Sequence, residues 1–216
     1  MKLSLLMDFD GTATDKDVTE VIFRRFARGN WRKWDKMALT LKVPVHKALS
    51  EQFRMVEATP EEVLSALDEE VHLREGLKEL VAYLKEVEIP WIIVSEGADF
   101  YIKYILEREG FYPDMIFSYR SRFVRGHIEV EPLWMWEGCD RCGTCKRRIV
   151  KAFRHLGPVA YVGDSTTDFC VADTVDLLYA RGYLKAFAEK QGIPHVPYLD
   201  LHQVRKHLKG FLEGEE

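Results

Sequence analysis

Two short acidic clusters hold most of the residues in this chain that are equipped for chemistry. The first is Asp8-Phe9-Asp10-Gly11-Thr12 and the second Gly163-Asp164-Ser165-Thr166-Thr167-Asp168, and each follows an apolar run. Read as a strand, the first run places alternate residues on one face. Asp8 and Asp10 are therefore expected to point the same way from its carboxyl end. Asp164 leaves the second run, and Asp168 follows one helical turn on, where a carboxylate suits a helix start. Four carboxylates gathered at one sheet edge would push one another's pKa values up unless a cation intervened. A hard divalent ion with oxygen ligands removes that conflict. Mg²⁺ takes few carboxylates and keeps waters for a phosphate, so one Mg²⁺ per chain is expected on Asp8, Asp10, Asp164 and Asp168. A third segment, Val94-Ser95-Glu96-Gly97, offers a hydroxyl and successive backbone N–H groups, the makings of an anion cradle. Lys146 is the candidate cation to face that anion.

These groups meet only if the right elements carry them. Short apolar runs at residues 3–7, 91–94, 115–117, 159–162 and 177–180 read as strands covered on both faces, the signature of a parallel sheet. Helical patterns separate them. Residues 76–86 set Leu77, Leu80, Val81 and Leu84 on one stripe, and 101–109 and 146–155 behave alike. This alternation predicts an open, doubly wound α/β sheet, whose ligands bind at the carboxyl ends of the strands. Residues 123–130 alternate about Arg125-Gly126 and predict a hairpin. Residues 15–72 break the rhythm with four helices, at 18–27, 31–41, 46–56 and 60–71. The last begins Thr59-Pro60-Glu61-Glu62, with Thr as cap, Pro at the first position and Glu at the third. The expected organisation is thus an α/β core of residues 1–14 and 73–216 with a helical cap domain of residues 15–72 inserted after the first strand.

Composition narrows the function. The 216 residues include 31 Lys and Arg against 35 Asp and Glu, a net charge of −4, so no basic excess exists to hold a nucleic-acid backbone or a membrane surface. The apolar run at the start is too short for a signal peptide or a membrane span, and a soluble cytoplasmic protein is expected. Asn occurs once and Gln three times, a scarcity of thermolabile amides that leans towards a thermophilic source.

In chain order, Asp8-Phe9-Asp10-Gly11-Thr12, Ser95, Lys146 and Gly163-Asp164 with Asp168 resemble the four motifs of the haloacid dehalogenase superfamily of phosphohydrolases. The resemblance spans nearly the whole chain, with residues 15–72 in the place of the family's cap. It implies that Asp8 is the nucleophile and Asp10 the acid and base. It implies that Thr12, Ser95, Lys146 and the backbone of Glu96 and Gly97 hold the phosphoryl group. Mg²⁺ would sit on Asp8, the Asp10 carbonyl and Asp164, with Asp168 in support. Further segments, among them Cys142-Gly143-Thr144-Cys145-Lys146 and Gly163-Asp164-Ser165-Thr166-Thr167-Asp168, are similar to the phosphatases of 2-hydroxy-3-keto-5-methylthiopentenyl 1-phosphate in methionine salvage, close kin of phosphoserine phosphatases. Asp17 falls where phosphoserine phosphatases carry an acidic cap residue. Gln52 falls nearest the place of their cap arginine, with Arg54 two residues on, so Asp17 and Arg54 are the substrate-binding candidates. Glu96 departs from the pattern, standing where relatives usually have glycine and bringing a charge beside the expected phosphate pocket.

The expectation is therefore a phosphatase of a small phosphate ester, monomeric or homodimeric. A phosphoserine or other small-metabolite phosphatase is one alternative, and a non-catalytic cysteine-metal binding protein on the same fold is another. Cys139, Cys142 and Cys145 lie within seven residues, directly before Lys146. A structural zinc ion, a disulfide and free thiols all stay open for them.

Overall fold

The computed structural model describes residues 3–214. Seven strands form one sheet: β1 (Ser4–Met7), β2 (Trp91–Ala98), β3 (Met115–Val124), β4 (His127–Glu131), β5 (Val159–Gly163), β6 (Leu177–Ala180) and β7 (Val196–Pro197). Their order is β4-β3-β2-β1-β5-β6-β7, parallel except for the antiparallel pair β3–β4. Successive crossovers leave β1 on both sides, so its carboxyl end is a switch point of the sheet, the place where a doubly wound fold opens a crevice.

The strand alternation decides which helix each side chain meets. Leu5 and Met7 face one apolar core with Ile93, Ala160 and Val162, while Leu6 faces the other with Ile92, Val94, Tyr161 and Leu178. The first face is covered by α5 (Leu77–Glu86), α6 (Asp99–Arg108) and α9 (Leu201–Glu213), and the second by α7 (Lys146–Arg154) and α8 (Gly182–Gln191). Both layers are buried, as a sheet covered on both faces requires.

Residues 15–72 contribute four helices: α1 (Val18–Phe26), α2 (Arg32–Leu39), α3 (Val45–Arg54) and α4 (Pro60–Glu70). The chain leaves and re-enters the sheet region at Thr14 and Leu73, which pair as an isolated antiparallel bridge. The start of α4 is a capping box, Thr59 accepting from Glu62 N while the Glu62 carboxylate accepts from Thr59 N. Phe23 packs edge to face on Phe53 and, tilted, against Trp31 among these helices.

Two readings of the sequence need adjusting. The run at 115–117 and the first arm of the hairpin are a single ten-residue strand, β3, whose first half pairs with β2 and whose second half pairs with β4. The first strand ends at Met7, so Asp10 lies not on it but in a wide turn over Phe9–Ala13. No helix among the described residues is long and apolar enough to cross a membrane.

Candidate active site

Asp8 follows Leu6 in the alternation and so turns to the face covered by α7. Lys146 opens that helix, and its fully buried Nζ lies 2.9 Å from Asp8 Oδ1 and 2.7 Å from Asp168 Oδ1. Asp8 N donates to Val162 O at 3.0 Å, which brings the second acidic cluster against the first. Asp8, Asp164 and Asp168 each offer a carboxylate oxygen within 4.8 Å of the others. Burial pushes the Asp8 carboxyl well up; Lys146 pulls it back, while Asp168 and Asp164 push it further. Burial works against the Lys146 charge, but Asp168 and Asp8 outweigh it and hold its pKa above the ordinary value.

The three carboxylates are not equivalent. Asp168 is saturated: Oδ1 accepts from Lys146 and Tyr161, and Oδ2 from the backbone N–H groups of Asp164 and Ser165. It braces the site. Asp164 Oδ1 accepts from the Thr12 hydroxyl at 2.7 Å, and Asp8 Oδ1 from Phe9 N at 2.8 Å. Among the described residues no hydrogen bond ends on Asp8 Oδ2 or Asp164 Oδ2, which leaves both free to bind.

Asp10 is held apart from this cluster, contrary to the shared face expected of a strand. Its Oδ1 accepts from Val18 N at 3.1 Å and Tyr101 Oη at 3.0 Å, and its Oδ2 from Ser95 Oγ at 3.1 Å and Tyr101 Oη at 2.9 Å. Burial, with Asp17 adding to it, raises this carboxyl to about 7 against the lowering effect of those hydrogen bonds. A carboxyl titrating there can give and take a proton at neutral pH.

Several residues singled out from sequence take other partners. Thr12 is wholly buried and donates its hydroxyl to Asp164 Oδ1. Gly97 N donates to Ser95 Oγ at 2.8 Å. The Glu96 carboxylate is buried and accepts from Tyr119 Oη, Gly143 N and Thr144 N. Asp17 caps α1 by accepting from Glu20 N, next to the amide of Val18 that reaches Asp10. Arg54 is exposed and paired with Glu51 at 3.0 Å, and the structure does not bring it to the carboxylates. Gln52 is the buried one, donating to Asp35 and to the Trp31 carbonyl.

Of the possibilities open for the cysteines, the structure has free thiols. All four are free, and the one group of three metal-ligating side chains that converges among the described residues is acidic, without Cys139, Cys142 or Cys145. Local backbone needs pull them apart: Cys139 N donates to Trp136 O, and Cys145, at the cap position of α7, donates to Trp134 O. Burial raises the Cys142 thiol above its ordinary value.

Sequence reasoning missed Tyr101 and Arg74. A wholly buried tyrosine needs a partner for its hydroxyl, which was the available signal for the first. Arg74 donates to the carbonyls of Gly11, Thr12 and Thr14 and so fixes the turn that carries Asp10. Its acceptors are backbone groups 60 or more positions away, which no side-chain pattern announces.

The chain is similar to known proteins. The chain is 32% identical to the 2-hydroxy-3-keto-5-methylthiopentenyl-1-phosphate phosphatase of Bacillus pumilus (strain SAFR-032), over 88% of this chain and 84% of that protein. It is 32% identical to the protein of the same name from Geobacillus kaustophilus (strain HTA426), over 94% of each chain. In fold it matches a substrate-bound phosphoserine phosphatase with a TM-score of 0.71 at 22% identity, over 95% of this chain and 97% of that one. The family profile of the haloacid dehalogenase-like hydrolases matches residues 5–173, which contain Asp8, Asp10, Ser95, Lys146, Asp164 and Asp168, and the chain belongs to that family of enzymes.

Proposed function

We propose that this hydrolase is a Mg²⁺-dependent phosphatase of a small phosphate monoester, working through an aspartyl-phosphate on Asp8. The observation that carries the reading is the division of labour between Asp8 and Asp10. Asp8 stands against the Lys146 ammonium with one oxygen free, and Asp10 is held separately at a pKa of about 7.

The donor set fits the ion. Asp8, Asp164 and Asp168 gather three carboxylates, and the Lys146 ammonium lies at hydrogen-bond distance from Asp8 and Asp168 only. Asp8 Oδ2, Asp164 Oδ2 and the Asp10 carbonyl are the hard oxygen donors that would hold Mg²⁺, with Asp168 holding Lys146 and the 164–165 backbone. When bound, Mg²⁺ neutralises the charge between a carboxylate and a phosphate and spreads the charge of the transition state.

The residues then act in two steps. Asp8 attacks phosphorus, forming the acyl phosphate as the ester P–O bond breaks, and Asp10 gives its proton to the departing alkoxide. In the second step Asp10 takes a proton from water as that water attacks phosphorus, and phosphate leaves with Asp8 restored. Lys146 keeps Asp8 in place and offsets the charge of the phosphoryl oxygens throughout.

The substrate reading is 2-hydroxy-3-keto-5-methylthiopentenyl 1-phosphate, with the helices of residues 15–72 serving as the cap over it. The names of the relatives support this. Gln52 and Arg54 are both committed within the cap, so neither stands ready for the carboxylate of phosphoserine. A panel of phosphate monoesters with and without Mg²⁺, including these two, tests the reading. Preference for phosphoserine would overturn the substrate, and turnover unchanged by chelator would overturn the metal.

A further inference from the structure

Glu96 is a buried acid that the proposed reaction does not use, and its partners are all on one loop and one strand. Oε2 accepts from Tyr119 Oη at 2.9 Å and Gly143 N at 3.1 Å, and Oε1 from Thr144 N at 2.9 Å. Charge-assisted bonds of this kind are roughly twice as strong as neutral ones, and three donors are what make a buried carboxylate tolerable. Gly143 is fitted to the same contact, since a Cβ there would lie 2.1 Å from Tyr119 Oη.

The fastened loop leads straight to Lys146. Trp134 and Thr144 form a parallel bridge, with Trp134 N donating to Gly143 O and Cys145 N to Trp134 O. Cys145 is the cap residue of α7 and Lys146 its first residue. The same loop touches the inserted helices, where Val45 N at the start of α3 donates to Arg141 O at 2.8 Å. The far end of Glu96 is equally fixed: its neighbour Ser95 donates to Asp10. One side chain thus ties the strand that orients Asp10 to the loop that delivers the cation beside Asp8.

We infer that Glu96 is a positioning residue for Lys146, clamping the loop of residues 132–145 to β2 so that Nζ is held between Asp8 and Asp168. This rests on the reading of Asp8 and Lys146 as the phosphoryl-transfer pair. Glu96 acts on Lys146 through the backbone it fastens and through its own charge, on which the Lys146 ammonium also acts. It does not act through substrate, so its loss should be felt only where Lys146 is present to be misplaced. Displacing a charged group by about 1 Å is enough to cost a large part of its effect.

The test is a double-mutant cycle on p-nitrophenyl phosphate with Mg²⁺, using wild type, Glu96→Ala, Lys146→Ala and the double variant, with folding checked by circular dichroism. Glu96→Ala is expected to lower kcat/KM about tenfold, and less than about threefold when Lys146 is already alanine. Glu96→Gln, which keeps an acceptor for Thr144 N, should recover most of the loss. Wild-type kcat/KM in a folded Glu96→Ala, or equal losses in both backgrounds, would overturn the inference. If Glu96→Ala does not fold, Tyr119→Phe enters the same cycle, with a loss of about threefold expected alongside Lys146 and none without it. A wild-type protein inactive on every ester would contradict the phosphatase reading instead. The clamp is then read from amide exchange at Gly143, Thr144 and Lys146, where faster exchange in Glu96→Ala supports it and unchanged exchange overturns it.

Discussion

Tyr101 donates its phenolic hydrogen to Asp10, with Oη 3.0 Å from one carboxylate oxygen and 2.9 Å from the other. The bond joins α6 to the turn after β1, and it favours the ionised form of a carboxyl that burial and Asp17 have pushed up to about 7. The sign of a pH effect follows. Asp10 is protonated below that value, so a reaction that needs its proton loses rate as pH rises through about 7, and kcat/KM should show an alkaline limb there. Removing the hydroxyl removes a bond to the charged form and raises the pKa further. Tyr101→Phe should therefore move the limb upward by about half to one pH unit while lowering the maximal rate. A pH–rate profile checks this, and a downward shift would contradict it.

Gly97 is packed against the same pair. A Cβ there would stand 2.0 Å from Tyr101 Oη and 2.6 Å from Asp10 Oδ2, with no free space to absorb it. Gly97→Ala should push both groups off their partners and cost about a hundredfold or more in kcat, since proton transfer by a positioned group is worth roughly that much. Stability should fall by about 1–3 kcal/mol, as for overpacking elsewhere in a core. Steady-state kinetics beside thermal unfolding separate the two effects.

Metal binding should be visible without turnover. Burial raises the Asp8 and Asp164 carboxyls, and Asp10 to about 7. The folded protein therefore holds more protons than the unfolded chain above about pH 4, and the stability these groups contribute is lost as pH rises through their folded values. Mg²⁺ binds the ionised form and restores it. At a hundredfold excess over Kd the gain is about 2.7 kcal/mol, or about 5–10 °C in Tm for a chain of this size. Differential scanning fluorimetry with Mg²⁺ should show that rise at higher pH and a smaller one at lower pH, where the raised carboxyls keep their protons. Asp164→Asn should abolish it. An equal rise at both pH values would contradict the assignment of the carboxylates as ligands.

The parts of this site that were legible in the sequence are those set by local chemistry. Asp8 and Asp164 each end an apolar strand, and a parallel sheet brings such ends together. Thr59 and Glu62 announced their capping box because every partner lies within one turn. What stayed hidden depends on pairing at a distance. Glu96 finds its donors 23, 47 and 48 positions further along, a pairing that no local pattern announces. Asp10 was assigned to a strand because two-residue spacing looks the same on a strand and in the turn that replaces it. Arg54 and Gln52 sit two apart on α3, and only the packing of α2 against it decides which one turns inward. The spacing of Cys139, Cys142 and Cys145 suits zinc, but the bridges at Trp134 and Trp136 set the loop's shape and keep the thiols from converging.

The central claim is that Asp8 carries the phosphoryl group. Acid quenching during turnover of a phosphate monoester with Mg²⁺, followed by peptide mass spectrometry, tests it directly, because acyl phosphates survive acid. The expected result is one phosphoryl group on the peptide containing Asp8, absent from Asp8→Asn, whose turnover should fall by more than about a thousandfold. A phosphoryl group on any other residue, or sustained turnover by Asp8→Asn, would contradict the account.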